Sequence, residues 1–526
     1  MYSTSLAFPV FIGSALAATT DPSLWTTATL GGKTFVNQGL VGFGYIPASA
    51  RDSYGETLGG LGSAIALQKG TFKAAPNGTF TGRLIAQPDR GYNVETTIDW
   101  QARHHSFDFT LSPYYGKSKL DFDTAAKTFR IQYKSTLLYS KGPGFLTSGL
   151  DAITSIPNTT TYPVLPAPNL TKLSVDAEGL VLNADGSFWT SDEYGPYIYR
   201  FGANGTLLQA IQPPTAVLPT IDGQLNFTSD RSPDFGRDAN QGFEGLTVSG
   251  DGRTLFALLQ SATIQDGGVS GDGRTLFALL QSATIQDGGG DKDTNRYTRL
   301  FAWDISTPGS SRLTGEWVVP LPQSKKGKTY AQSEIYALTL TQFLVLSRDG
   351  HGHGDDGNDA KSDYNRDGHG HGDDGNDAKS DYKQADLFDI SDATDIHGTK
   401  FDGAAAVAPK GKLDKTVVPA TYVPFVNYLN STQLSRFGLH NDEPTDRTLI
   451  DAKWESFALA PVLDAAAPDD YFLITMADND FITINGTALG KPYSASYGQD
   501  VDTQILVWRV TLPSVPRGSV SVSLGI

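Results

Sequence analysis

The 526-residue chain has no cysteine, which excludes disulfides and denies a metal any thiolate ligand. Basic residues are also in short supply: 41 Lys and Arg face 57 Asp and Glu, a net charge of −16. Nucleic acid and anionic membrane surfaces both require a basic footprint, so neither is expected as a partner. Beyond the N-terminal leader, no apolar run is long enough to span a bilayer, and residues 519–526 are too short for a lipid-anchor signal. Hydrophobic content of 39%, with 11% aromatic residues, suffices for an ordinary packed core.

The leader occupies residues 1–18. An apolar run, Leu6-Ala-Phe-Pro-Val-Phe-Ile, precedes Ser14-Ala-Leu-Ala, which has the small-x-small pattern of a signal-peptidase site. Asn-x-Ser/Thr sequons at Asn77, Asn158, Asn169, Asn204, Asn226, Asn430 and Asn485 suit the same destination, a secreted glycoprotein. The mature chain is expected to be a monomer, free in solution.

The remaining sequence is organised by a repeated unit. In Asp176-Ala-Glu-Gly-Leu-Val-Leu-Asn-Ala-Asp-Gly-Ser-Phe-Trp-Thr-Ser-Asp-Glu-Tyr-Gly-Pro-Tyr-Ile-Tyr-Arg-Phe, three short alternating strands are separated by turn signals. Its opening, Glu followed by apolar residues at every second position, recurs as Glu244-Gly-Leu-Thr-Val, Glu334-Ile-Tyr-Ala-Leu and Glu455-Ser-Phe-Ala-Leu. A fifth copy, Ser63-Ala-Ile-Ala-Leu, has Ser in place of Glu. Third-strand partners recur too, in Arg299-Leu-Phe-Ala-Trp-Asp-Ile, Asp386-Leu-Phe-Asp-Ile and Ile505-Leu-Val-Trp-Arg-Val. Diverged all-β units of this size predict a β-propeller, here of six or seven blades, forming one domain over residues 19–526. Strands within 28–46 are expected to close the ring against 504–512.

Two segments are near-perfect tandem duplications. Residues 248–268 recur unchanged as 269–289, and 348–365 recur as 366–383 with only the last residue altered, to Lys383. One strand slot follows Glu244-Gly-Leu-Thr-Val, and residues 254–260 and 275–281 compete for it. The first copy, whose turn follows directly, is expected to fill the slot, with the second extruded or added at an edge. The other duplication carries four of the eight histidines in a Gly/His/Asp tract, read as a loop rather than a chelating site. His104 and His105 point to opposite faces of a strand, which argues against a metal pair and predicts surface placement.

If Glu178, Glu244, Glu334 and Glu455 open equivalent innermost strands, they converge at one mouth of the central channel. The ends of the following strands meet the same mouth and bring Asp89, Arg90, Asp192, Glu193, Arg348, Asp349, Asp478 and Asp480. Crowded carboxylates raise one another's pKa unless a cation lies among them. Hard oxygen ligands favour Ca²⁺, with Mg²⁺ second. The expected metal ligands are Glu178, Glu244, Glu334, Glu455, Asp89, Asp349, Asp478 and Asp480. The expected catalytic groups are Glu178, Glu244, Asp192 and Glu193, with Arg90 and Arg348 steadying an anionic oxygen. The competing reading is architectural, each Glu capping backbone amides or pairing with a neighbouring Arg.

Asp176-Ala-Glu-Gly-Leu, Thr190-Ser-Asp-Glu-Tyr-Gly-Pro-Tyr-Ile-Tyr-Arg-Phe, Gly242-Phe-Glu-Gly-Leu-Thr, Arg296-Tyr-Thr-Arg-Leu, Ser333-Glu-Ile-Tyr-Ala-Leu and Lys453-Trp-Glu-Ser resemble the phytase-like domain family with esterase-like activity. The resemblance extends over nearly the whole mature chain and implies a secreted β-propeller hydrolase of phosphate or other esters. Glu-Ile and Glu-Ser stand where two other copies have Glu-Gly. A calcium-dependent lactonase or carboxylesterase propeller is the enzymatic alternative, and a non-catalytic binding propeller the other.

Overall fold

A computed structural model describes residues 19–92, 96–212, 218–231, 233–234, 237, 239–240, 242–248, 255–259, 275–279, 294–307, 310–327, 329–354, 378–401, 405–495 and 499–526. The leader, and the centre of the Gly/His/Asp tract at 355–377, lie outside them.

Five sheets, antiparallel except for one parallel pair in the third, are arranged in a ring. Their innermost strands are Ala64–Leu67, Ala177–Leu182, Phe243–Val248, Ala331–Ala337 and Lys453–Pro461. Each touches the next in chain order, and Lys453–Pro461 returns to Ala64–Leu67, so the described residues form a closed five-bladed β-propeller. The expectation of six or seven blades is thereby corrected. The N-terminal strands do not begin a blade of their own: Lys33–Ile46 pairs with Thr503–Thr511 and carries Thr26–Leu30 outside it, completing the last blade. Ring closure between the chain's two ends is as expected from sequence.

The blades pack face to face through apolar clusters shared by neighbours, which explains why strands in this chain are buried on both sides. Val181, Trp189 and Ile198 of the second blade meet Phe243, Leu246, Phe301 and Trp303 of the third. Leu300, Ala302 and Val319 of the third meet Ile335, Phe343 and Val345 of the fourth. The same sandwiching corrects the placement of His104 and His105. They do point to opposite sides, His104 towards the Tyr139 hydroxyl (3.0 Å) and His105 towards that of Thr136 (2.8 Å), but both sides are interior. Burial pulls His104 down to about 4 and His105 well below the usual imidazole range.

The first duplication alters the third blade. Leu255–Leu259 pairs antiparallel with Phe243–Val248, as expected for the first copy. The second copy is neither extruded nor at an edge. Thr275–Leu279 enters the sheet, parallel to the first copy and antiparallel to Tyr297–Thr307, so this blade has five strands.

The inner strands enclose a channel lined by Ile65, Leu67, Leu180, Leu182, Ile335 and Phe457. The C-terminal helix Ser519–Leu524 closes the end where these strands finish, presenting Val520 and Leu524. Of the sequon asparagines, Asn77, Asn158, Asn169, Asn204 and Asn485 are exposed, whereas Asn226 and Asn430 are half-buried.

Candidate functional site

Register places the polar groups at the end opposite the helix. Ala177 faces Asp192, Ala331 faces Arg348, Lys453 faces Asp478 and Ala64 faces Gln87, so the start of each inner strand lies beside the end of the next. The four glutamates share a further feature that alternation alone does not reveal. The ladder slips between Ala177 and Leu180, Phe243 and Leu246, Gln332 and Glu334, and Trp454 and Ser456. A bulge thus falls at or beside every Glu of the repeat, where it can re-aim a side chain from the blade interior.

Glu178, Glu244, Glu334 and Glu455 are all buried. Burial, and then the charges of Glu244, Asp176, Glu193 and Glu455, push Glu178 well above the usual carboxyl range. Glu244 is driven up by burial and Glu455, against the pull of Arg348 and Lys453. Three of the four form a mutually repelling ring with Asp176 and Glu193. Glu334 stands apart in function: its Oε1 accepts from the Ile335 backbone N–H at 2.8 Å, the amide-capping role foreseen as the architectural alternative.

Two carboxylate triads lie within this mouth. The ligand oxygens of Asp176, Glu178 and Glu193 fall within 4.8 Å of one another, as do those of Asp89, Asp478 and Asp480. In the first triad both Oδ atoms of Asp176 and Oε1 of Glu193 are buried without a hydrogen-bond donor, at 1% and 3% residue exposure. Arg90 is the nearby cation, its Nη1 3.2 Å from Asp176 Oδ2 and its guanidinium stacked on Tyr194 and bonded to Asn240. Orphaned buried carboxylate oxygens at this spacing suit a hard divalent cation.

The second triad has a cation of its own. Lys453 Nζ donates to Asp478 Oδ2 at 2.9 Å and to Asp480 Oδ1 at 2.6 Å, and lies 3.5 Å from Glu455 Oε1. Asp480 and Phe481 both have positive φ, 48° and 56°, a strained pair at the rim. Asn479 fastens it there, accepting from the Gly60 and Phe481 N–H groups and donating to the Val501 carbonyl.

Two expected site residues have other tasks. Asp192 is fully buried, and accepts from the backbone of Asp176 (2.9 Å), Tyr194 (3.3 Å) and Gly195 (2.9 Å) and from Tyr199 Oη (3.2 Å), which occupies its lone pairs. Asp349 sits in the connection to the next strand, taking Ser380 Oγ, the N–H groups of Asp381 and Tyr382, and Lys383 Nζ. Although burial opposes it, the Lys383 charge and these donors hold Asp349 below the usual range. It is therefore removed from the set of metal ligands. Arg348 reaches the ring and pairs with Glu455, which ties it into the wall. Sequence reasoning did not select Asp176 or Lys453 as site residues. Both stand two positions before a ring glutamate, Glu178 and Glu455, a spacing shared by the two motifs.

The family described as Phytase-like, esterase-like activity of phytase, matches residues 57–270 and 268–428. A secreted protein of Arthroderma benhamiae is 35% identical over 506 residues, covering 87% of this chain and 90% of its own length. Among solved structures, a luciferin-regenerating enzyme aligns with 86% of this chain and 93% of its own at 10% identity, with a TM-score of 0.24. The WD40 domain of Toxoplasma gondii coronin aligns with 95% and 89% at 8% identity, with a TM-score of 0.27. The propeller assignment rests on strand order and ring closure rather than on these superpositions. Like its fungal relative the chain is a secreted protein, and no described helix is long and apolar enough to cross a membrane. The matched segments include the Glu178, Glu244 and Glu334 motifs, and the chain belongs to the phytase-like family, a family of hydrolase-type function.

Proposed function

We propose that the protein is a secreted ester hydrolase working at the acidic mouth, with one divalent cation, Ca²⁺ before Mg²⁺, held by Asp176, Glu178 and Glu193. The observation that carries this reading is the pair of buried oxygens, Asp176 Oδ1 and Glu193 Oε1, that have no hydrogen-bond donor, beside an Asp176 Oδ2 held only by the Arg90 ion pair. When bound, the cation supplies Lewis-acid polarisation of an ester oxygen. The protein's own groups do the rest. Arg90, beside Asp176, faces an anionic substrate oxygen and limits its movement. Glu244, next in the ring and outside the triad, takes a proton from the attacking water and returns it to the leaving alkoxide. Its balance suits that exchange, since burial raises its proton affinity while Arg348 and Lys453 lower it.

The substrate class consistent with Arg90 and Arg348 is a phosphoric ester. A specific observation favours a second class, uncharged lactones or carboxylic esters. Asp89, Asp176, Glu178, Glu193, Glu244, Glu455, Asp478 and Asp480 crowd a mouth whose cationic side chains at contact distance, among the described residues, are Arg90, Arg348 and Lys453. A substrate carrying many negative charges is repelled there unless cations accompany it.

The test is purified protein assayed on phytate, nitrophenyl phosphate, nitrophenyl acetate and a lactone, each with Ca²⁺ and with chelator. Turnover of one class that requires Ca²⁺ and is lost in Glu244→Gln is the expected result. Absence of turnover on every substrate, in folded protein with Ca²⁺, would overturn the enzymatic reading in favour of a binding propeller.

A further inference from the structure

The two triads of the mouth are both carboxylate clusters, the first fully buried and the second partly exposed, and they differ in what supplies the positive charge. Around Asp176 the nearest cation is a guanidinium touching one oxygen at 3.2 Å. Around Asp478 and Asp480 it is a half-buried primary ammonium set among the carboxylates, 2.9 and 2.6 Å away, with Glu455 at 3.5 Å. An ammonium is a compact point charge with three donors, and it can occupy the space of a small ion among hard oxygens. The surrounding carboxylates are braced from behind. Asp478 Oδ1 accepts the Asp480 N–H at 2.8 Å and Asp89 Oδ1 accepts the Gly91 N–H at 3.0 Å, which leaves one oxygen of each to face inward.

We propose that Lys453 is a tethered counter-cation standing in for a second divalent ion, so that it sets the metal stoichiometry of the mouth at one. A metal entering the Asp89, Asp478 and Asp480 triad would have to sit against Nζ, whose charge repels it and whose hydrogen bonds use the same oxygens. With the ammonium removed, three inward carboxylates within 4.8 Å of one another, and Glu455 beside them, form an oxygen site for Ca²⁺. Lys453 is thus a positioning residue that keeps a one-cation site from becoming a two-cation site, the arrangement suited to clamping both oxygens of a phosphoryl displacement. The inference concerns the second triad, and rests on the proposed function only for the count contributed by the first.

Calcium titration of the full chain by calorimetry, with terbium luminescence as a second readout, tests it without any assay of activity. One ion is expected in the unmodified protein, two in Lys453→Met and one in Lys453→Arg, which restores a cation. One ion in both the unmodified protein and Lys453→Met, or two in the unmodified protein, would overturn the role of Lys453 and leave the first site standing. No ion in the unmodified protein but one in Lys453→Met would support Lys453 and remove the first site. No ion in either would overturn both. Should Lys453→Met fail to fold, Asp176→Asn gives the answer with Lys453 in place. Complete loss of binding is expected there, and a residual site contradicts the proposal.

Discussion

Phe256 and Phe277, the same residue of two identical copies, stand opposite each other as the parallel register pair between Leu255–Leu259 and Thr275–Leu279. Each copy uses one edge well and the other poorly. The first pairs antiparallel with the inner strand, setting Phe256 against Thr247, and the second pairs antiparallel with Tyr297–Thr307, setting Phe277 against Ala302. A single strand could make both ladders at once, which is the four-stranded pattern of the second and fourth blades. Deleting residues 269–289 is therefore expected to retain the fold and raise the calorimetric unfolding midpoint by a few degrees. A lower midpoint would show that the fifth strand contributes stability of its own.

Gly245 follows a ring glutamate because the next inner strand passes directly over it. A Cβ there would lie 2.2 Å from Glu334 Oε1 and 2.8 Å from Glu334 Cα, distances that no side chain shift of modest size relieves. Gly179 has the equivalent constraint, with Leu246 Cβ at 2.3 Å. Gly245→Ala should cost about 3 kcal/mol or more through overpacking between blades. Ser456→Ala, at the matching position of the last blade, should change stability by less than about 1 kcal/mol. Urea unfolding of both variants measures the difference, and equal costs would contradict the close-approach account.

The Glu-Gly steps show what was legible in the sequence. Period-two alternation after each Glu located all five inner strands, counting the Ser63 copy, and the closing role of residues 33–46. Blade number was not legible, because alternation locates strands without reporting how they are grouped: the N-terminal strands close the ring as expected, but as outer strands of the last blade. His104 and His105 were misjudged because alternation reports opposite faces, and in a propeller both faces meet another blade. Asp192 and Glu193 are adjacent and chemically alike in sequence, and only the turn back to Tyr194 and Gly195 commits one of them to the backbone. Lys453 could have been found from the cross-strand pairing of Lys453 with Asp478, had register been fixed first.

That adjacency makes a controlled pair of substitutions. Asp192→Ala removes an acceptor from three backbone amides and a tyrosine hydroxyl, and should destabilise the protein by about 2–4 kcal/mol. Glu193→Gln replaces a buried carboxyl whose Oε1 has no donor with a neutral isostere, so the metal-free protein should unfold at an unchanged or higher temperature while calcium affinity falls at least tenfold. Scanning calorimetry and calcium titration separate the two effects. A Glu193→Gln variant as unstable as Asp192→Ala would assign Glu193 to the architecture instead.

The same buried acids set the response of the protein to pH. Burial pushes Asp192 up from its ordinary 3.8 to about 7 and Asp386 and Asp451 to about 6, and drives Asp89, Glu178, Glu193, Glu244 and Glu334 well upward. A carboxyl with a raised folded pKa binds its proton more readily in the native state than in the unfolded chain. Between its ordinary value and its raised one, lowering the pH therefore stabilises the native state. His104, held at about 4, and His105 work in the opposite direction below pH 6.5, but the raised carboxyls outnumber them. Without metal, the unfolding midpoint should rise as pH falls from 7 to 5. Saturating Ca²⁺ should flatten this slope, because the cation takes the place of protons on Glu178 and Glu193 and binds more weakly as those protons return. Thermal scans at pH 5, 6 and 7, with Ca²⁺ and with chelator, measure both slopes. A chelated midpoint that falls towards pH 5 would mean that the mouth carboxylates are already ionised and paired in the native state.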